Sequence, residues 1–116
     1  MVRNPAWTRD ELILALELYM RHRDRLPDSD HLEIAELSQT LNSLFGSTAR
    51  DAAIFRNANG VYMKLANFRA VDPRHTSQGK RGLSRGGHAT EQIWDEFSAQ
   101  PEQLKAAAST IRRTAL

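Results

Sequence analysis

The chain of 116 residues contains no cysteine, few aromatic residues and no long hydrophobic run. Without cysteine, disulfides and thiolate metal sites are excluded. Without a run of about 18 apolar residues, no membrane-spanning helix is expected. The start Met-Val-Arg-Asn-Pro lacks the apolar stretch of a secretory signal, so we expect a cytoplasmic protein. A chain of this length predicts one domain, covering residues 1–116.

Patterns that carry chemistry are also scarce. No two of the four histidines are spaced i, i+4, so no structural zinc site is predicted. The glycines do not match the nucleotide-binding pattern G-x-x-x-x-G-K-[ST]. The carboxylates are spread over predicted helix faces, and no nucleophile lies beside a base. We therefore expect no metal, no cofactor and no catalytic centre in this chain.

The positive charge is concentrated in the middle of the sequence. Residues 1–55 carry six basic and nine acidic groups, whereas residues 56–88 carry seven basic groups and one acid, Asp72. Residues 89–116 are close to neutral. A block of one sign attracts polyanions, which favours nucleic acid as the partner.

The spacing of apolar residues predicts a mainly α fold of about five helices. Thr8 and Glu11 form a capping-box pattern, so helix one should begin near Thr8, and its broad apolar coverage predicts a central position. Helix two should follow Pro27, be capped within residues 28–30 and stop at Gly46.

Helix three is predicted at about 59–70 with Asn57 or Asn59 as its cap. Residues 74–88 contain four of the six glycines and predict a long basic loop or a small β-hairpin between helices three and four. Thr90 should cap a short fourth helix, and Pro101 should start the fifth.

Two stretches are candidates for DNA contact. The basic, glycine-rich loop offers cations to phosphates, and its glycines allow close approach of the backbone. The region from Arg56 to Arg69 offers Arg and Asn, which can make bidentate contacts with base edges. The candidate DNA-binding residues are Arg56, Asn57, Asn59, Tyr62, Lys64, Asn67, Arg69, Arg74, His75, Lys80, Arg81, Ser84, Arg85 and His88.

Each candidate also has a structural interpretation. The asparagines are equally explained by helix capping and loop hydrogen bonds. Tyr62 and Met63 are more simply explained by core packing, and Trp7 by apolar packing just before helix one, although an aromatic ring can also meet a base or a pyrimidine methyl. The structural interpretation of the basic loop is a solvated linker, but its place between core helices and the donors of Ser84 and the flanking glycines favour DNA contact.

Two segments carry a family resemblance, namely RNPAWTRDELILAL at 3–16 and FRNANGVYMKLANF at 55–68. Together with Asp72-Pro73, GLSRGG at 82–87 and the Trp94–Phe97 helix, they resemble the N-terminal DNA-binding domain of McrA-like HNH restriction endonucleases. These are type IV enzymes, which cut DNA carrying modified bases.

The resemblance implies that this chain binds double-stranded DNA, with 5-methylcytosine as the expected modification. It also implies that cutting, and the divalent metal it needs, belong to a separate HNH domain without counterpart in these residues. The residues leave open whether one chain binds or a homodimer occupies a symmetric site. The alternative functions are a protein-interaction module that docks onto a nuclease or regulator and, third, an enzyme acting alone.

Overall fold

The computed structural model describes residues 3–76 and 87–114, which form five α-helices and a short 3-10 turn. The described residues contain no strand, so the prediction of a mainly α fold is confirmed. The choice between loop and hairpin falls on residues 77–86, outside the described residues. The helices are α1 (Arg9–Arg21), α2 (Leu32–Phe45), α3 (Ala58–Val71), α4 (Gly87–Phe97) and α5 (Pro101–Arg113), with the 3-10 turn at Gly46–Thr48.

Helix α1 is the centre of the domain. Eight of its 13 residues are buried, and they lie on all sides of the helix. Such all-round burial requires neighbours on every face, and α1 packs against each of the other four helices. The central position predicted for this helix is confirmed. No helix in the described ranges is both long and apolar enough to cross a membrane.

Two predicted helix starts are confirmed. Thr8 Oγ1 accepts a hydrogen bond from the Glu11 amide at 3.3 Å, while Glu11 Oε1 accepts one from the Thr8 amide at 2.9 Å. Asn57 Oδ1 accepts from the Gly60 amide at 2.8 Å, so Asn57 and not Asn59 caps α3. These bonds satisfy amides that would otherwise lack partners in the first turn.

Two predicted caps are wrong. Residues 28–30 form a turn in which the His31 amide donates to the Asp28 carbonyl at 2.9 Å, so α2 starts later, and its cap is His31. Thr90 lies inside α4, which begins at Gly87, and it is fully buried. In both cases the position of a neighbouring turn decides the helix start, which a local pattern of cap residues does not reveal.

Candidate nucleic-acid interface

Helices α1 and α3 lie side by side and are joined at both ends by buried polar contacts. Arg56, just before α3, binds Glu11 in the first turn of α1, whereas Asp72, just after α3, binds Tyr19 near the end of α1. Both helices therefore run in the same direction. We call the first region the amino end and the second the carboxyl end, about 20 Å apart along α3.

At the amino end, Arg56 lies in the interior. It is 6% exposed, and its Nε donates to Glu11 Oε2 at 2.6 Å while Nη2 donates to the Pro5 carbonyl at 2.9 Å. Its guanidinium also lies against the rings of Trp7 and Phe55, at 4.9 and 4.4 Å from their centroids. The predicted contact of Arg56 with DNA is therefore corrected, because the buried Glu11 carboxylate takes this cation as its partner.

The backbone at Arg56 is held in an unusual conformation. Its φ is +45°, a value that residues other than glycine rarely adopt. Side chains of α2 fix this turn, since Ser38 Oγ donates to the Arg56 carbonyl at 2.7 Å and Asn42 Nδ2 donates to the Phe55 carbonyl at 2.9 Å. The approach to α3 is thus determined by both α1 and α2.

Lys64 is the cation that remains available at the amino end. Its Nζ lies 5.3 Å from the centroid of the Trp7 ring, and within the described chain it makes no hydrogen bond or ion pair. Burial lowers the pKa of Lys64, and the nearby Arg56 adds to this effect. Trp7 is partly buried against the core, in agreement with the packing interpretation of this residue.

Helix α3 presents an uncharged outer face. Val61, Leu65, Phe68 and Val71 are buried, whereas Asn59, Met63 and Asn67 follow one another at i+4 spacing on the opposite side. Asn59 is exposed, Asn67 is half-buried, and the small residues at 66 and 70 lie between and beyond them.

The two predicted core residues on α3 behave differently. Met63 is 50% exposed, so its interpretation as a core residue is wrong. Tyr62 is half-buried and packs against the core, which agrees with the structural interpretation.

At the carboxyl end, Asp72 is fully buried and is the centre of a polar network. Tyr19 donates its hydroxyl to Asp72 at 2.6 Å, and Arg23 donates from Nε and Nη2, each at 2.8 Å. Burial disfavours the charged carboxylate, but the hydrogen bonds from Arg23 and Tyr19 outweigh it and lower the pKa of Asp72 to about 2. Burial, together with the bond to Asp72, raises the pKa of Tyr19.

Beside this network lies a basic cleft of about 590 Å³ between the end of α1 and the start of α5. Its Arg25 and Lys105 side chains are exposed and have no hydrogen-bond or ion-pair partner among the described residues. Arg74 has an exposed contact of 3.3 Å with Asp24. The charged side chains that line the cleft are Arg21, Arg23, Arg25, Arg74 and Lys105, with Glu17 and Asp24 as the only two carboxylates.

The remaining candidates divide between the two ends and the surface around them. Arg69, in the last turn of α3, is exposed, and its guanidinium makes no hydrogen bond or ion pair with another described residue. His75 is half-buried, and its Nε2 lies 2.6 Å from the Arg23 carbonyl, which satisfies that nitrogen. His88 is exposed at the start of α4. Lys80, Arg81, Ser84 and Arg85 lie outside the described residues.

The structure thus groups the candidate cations differently from the sequence. Arg69 and Arg74 lie at the carboxyl end, whereas Lys64 lies at the amino end. Arg25 and Lys105 join the carboxyl end although their segments of the sequence are not basic overall. A charge count along the chain misses them, since only the packing of α1 against α5 brings them together.

Comparison with protein-family models, curated proteins and solved structures gave no match to this chain. The resemblance to McrA-like enzymes therefore stays a prediction.

Proposed function

We propose that this chain binds double-stranded DNA, recognises a modified base, with 5-methylcytosine as the first candidate, and thereby directs an HNH restriction nuclease to its site. The observation that carries the proposal is the basic cleft at the carboxyl end, where the side chains of Arg25 and Lys105 have no partner among the described residues and Arg74 has an exposed one. Cations in this state can neutralise phosphates without breaking a buried ion pair.

The position of the cleft supports this function. The chain leaves α3 through Arg74, which lines the cleft, and the sequence then places Lys80, Arg81 and Arg85 before α4 begins. In the sequence, the segment with the highest density of positive charge therefore follows closely after a residue that lines the cleft. Together they supply the sequence-independent part of the affinity.

The outer face of α3 supports a role in selectivity. The major groove of B-DNA admits an α-helix, and amide side chains and apolar groups read base edges and pyrimidine methyls there. Asn59 and Asn67 supply amides, Met63 supplies an exposed apolar group between them, and the small residues at 66 and 70 allow close approach. We therefore assign methyl contact to Met63 and base contact to the two asparagines.

Phosphate contact is tested by measuring fluorescence anisotropy of a labelled duplex over a range of salt concentrations. We expect the double variant Arg25→Gln with Lys105→Gln to bind more weakly and to lower the slope of log affinity against log salt by about 1 to 2. Arg50→Gln is the matched control, because Arg50 is exposed and lies away from the cleft. Salt-independent binding, or equal losses in the control, would contradict the proposal.

Modification reading is tested with matched methylated and unmethylated duplexes in competition. We expect the unaltered chain to prefer the methylated duplex and Met63→Ala to lose most of that preference, by about 1 kcal/mol, with little change in salt slope. If the unaltered chain binds both duplexes equally, the modification part of the proposal is wrong while DNA binding can still stand.

The protein-interaction alternative receives less support. The large apolar side chains exposed in the described part of the chain are Leu32, Ile54 and Met63. They lie on three separate segments, namely the first turn of α2, the turn before α3 and α3 itself. Single exposed apolar side chains are ordinary on a protein surface, whereas a docking surface for a partner normally exposes a larger apolar patch.

A further inference from the structure

A compact group of metal-ligating side chains lies where α1 ends and α2 begins, beside the basic cleft, whose lining includes His22. His22 is the residue that ends α1, His31 is the cap of α2, and Glu33 lies in the first turn of α2. The two imidazole rings meet edge to face with centroids 5.2 Å apart. All three side chains are half-buried.

The donor atoms are close enough to share one ion. One ligand atom from each of His22, His31 and Glu33 lies within 4.8 Å of the other two. A tetrahedral zinc site has bonds of about 2.0–2.1 Å, which separates ligand atoms by roughly 3.3 Å. His22 Nε2 and Glu33 Oε1 are already 3.2 Å apart, so His31 has to approach by only about 1.5 Å.

One of these atoms has only a single close partner. His22 Nε2 is buried and lies 3.2 Å from Glu33 Oε1, but it makes no hydrogen bond of good geometry with the described residues. Buried polar atoms are seldom left without a hydrogen bond, so this nitrogen calls for an explanation. Arg21 binds the other carboxylate oxygen, Oε2, at 2.5 Å, which leaves Oε1 directed towards His22.

We propose that His22, His31 and Glu33 form a binding site for a divalent transition metal, with Zn²⁺ as the best candidate. Two imidazole nitrogens and one carboxylate oxygen are ligands that zinc accepts, and water completes the fourth position. The ion ties the end of α1 to the start of α2 across the loop of residues 23–30. This inference is independent of the DNA-binding proposal.

Metal binding changes the cap of α2. His31 Nδ1 accepts a hydrogen bond from the Glu33 amide at 3.0 Å. A neutral imidazole has one nitrogen lone pair, so the ring cannot both accept this bond and bind a metal. Binding therefore replaces the cap bond with a coordinate bond, and the environment of the Glu33 amide changes with it.

The sequence lacks two histidines one turn apart on a single helix, and the prediction of no zinc site rests on that absence. The present ligands instead come from the facing ends of two helices, so that argument does not apply to them. The short spacing of His31 and Glu33 is visible in the sequence, but the approach of His22 depends on the path of the loop.

The test is calorimetric titration of the metal-free chain, without a polyhistidine tag, with ZnCl₂ at neutral pH. We expect binding of one ion per chain, and a Co²⁺ complex with the visible absorption of a four-coordinate site. The melting temperature should rise by about 11 °C at a zinc concentration about a hundredfold above Kd. In an NMR spectrum, the Glu33 amide signal should shift on binding.

Variants separate this site from adventitious binding. Glu33→Gln and His22→Gln should each weaken zinc binding at least about tenfold. His31→Asn keeps a good cap residue and should lose the metal without losing α2. Glu36→Gln, which removes an exposed carboxylate from the same helix, should bind like the unaltered chain. Absence of one-to-one binding, or binding that survives all three ligand substitutions, would overturn the proposal.

Discussion

Replacement of Arg56 by Met should destabilise the fold strongly and leave the side chains proposed to contact DNA unchanged. The substitution removes the partner of Glu11, whose carboxylate is 1% exposed, and keeps an apolar stem between the rings of Trp7 and Phe55. Breaking a buried ion pair from one side costs about 3–5 kcal/mol, because the other charge remains buried and unpaired. For a domain of this size, that corresponds to a melting temperature lower by roughly 12–20 °C.

A double-mutant cycle isolates the ion pair. Glu11→Gln keeps the oxygen that accepts from the Thr8 amide and removes only the charge. Alone, it leaves the buried Arg56 guanidinium with neutral partners only, namely the carbonyls of Pro5 and Ala6 and the retained side-chain oxygen at position 11. We expect each single variant to be destabilised and the double variant to lose less than the sum, with a coupling energy of about 2–3 kcal/mol.

The measurements are urea and thermal unfolding, followed by circular dichroism, and DNA affinity at a temperature at which each variant is folded. A loss of under about 1 kcal/mol for Arg56→Met would refute the burial argument. A variant of unaltered stability that binds DNA tenfold more weakly would show that Arg56 contacts the nucleic acid directly.

Substitutions at three further residues probe the polar network at the carboxyl end and the cap of α3. The pKa of Asp72 falls from 3.8 to about 2 on folding. Its carboxylate therefore contributes roughly 2 kcal/mol to the free energy of unfolding above pH about 4, and this contribution is lost as the pH falls towards 2. Urea midpoints over this range should show the loss, and Asp72→Asn should remove this pH dependence. Tyr19→Phe deletes the buried hydrogen bond to Asp72 and should cost about 1–3 kcal/mol in urea unfolding. Asn57→Ala should cost about 1 kcal/mol and Asn57→Asp much less, since aspartate also caps α3; equal losses would argue against the cap.

Elements whose determinants are local in the sequence could be predicted. The capping box of Thr8 and Glu11 and the start of α5 at Pro101 lie where the sequence places them. These residues act within one helical turn, so the helix start does not depend on a contact with a distant part of the chain. Thr90 shows the limit of this reasoning. It is a good cap residue by type, but it lies inside α4 and is buried against the core.

The residues of the candidate site were harder to predict, because the type of a charged side chain does not reveal which group it binds in the folded chain. Arg56 stands in a basic segment and has the chemistry of a phosphate ligand, yet its partner is Glu11, which lies 45 residues earlier. Arg25 and Lys105 stand in unremarkable segments, yet both line the basic cleft. Ion pairs between distant parts of the sequence decide which cations remain available for a ligand, and a count of charges along the sequence does not detect these pairs.

The ion pairs at the two ends of α3 explain how so small a domain can hold the proposed recognition surface in a fixed orientation. Glu11 with Arg56 fixes the chain entering α3, and Asp72 with Arg23 fixes the chain leaving it. With one end bound to α1 and the other to the turn that follows α1, α3 has little freedom to rotate, so its outer face keeps one orientation. A surface fixed in advance loses less conformational entropy on binding. Substitutions at the ion pairs should therefore change stability, whereas substitutions on the outer face and at the basic cleft should change DNA affinity.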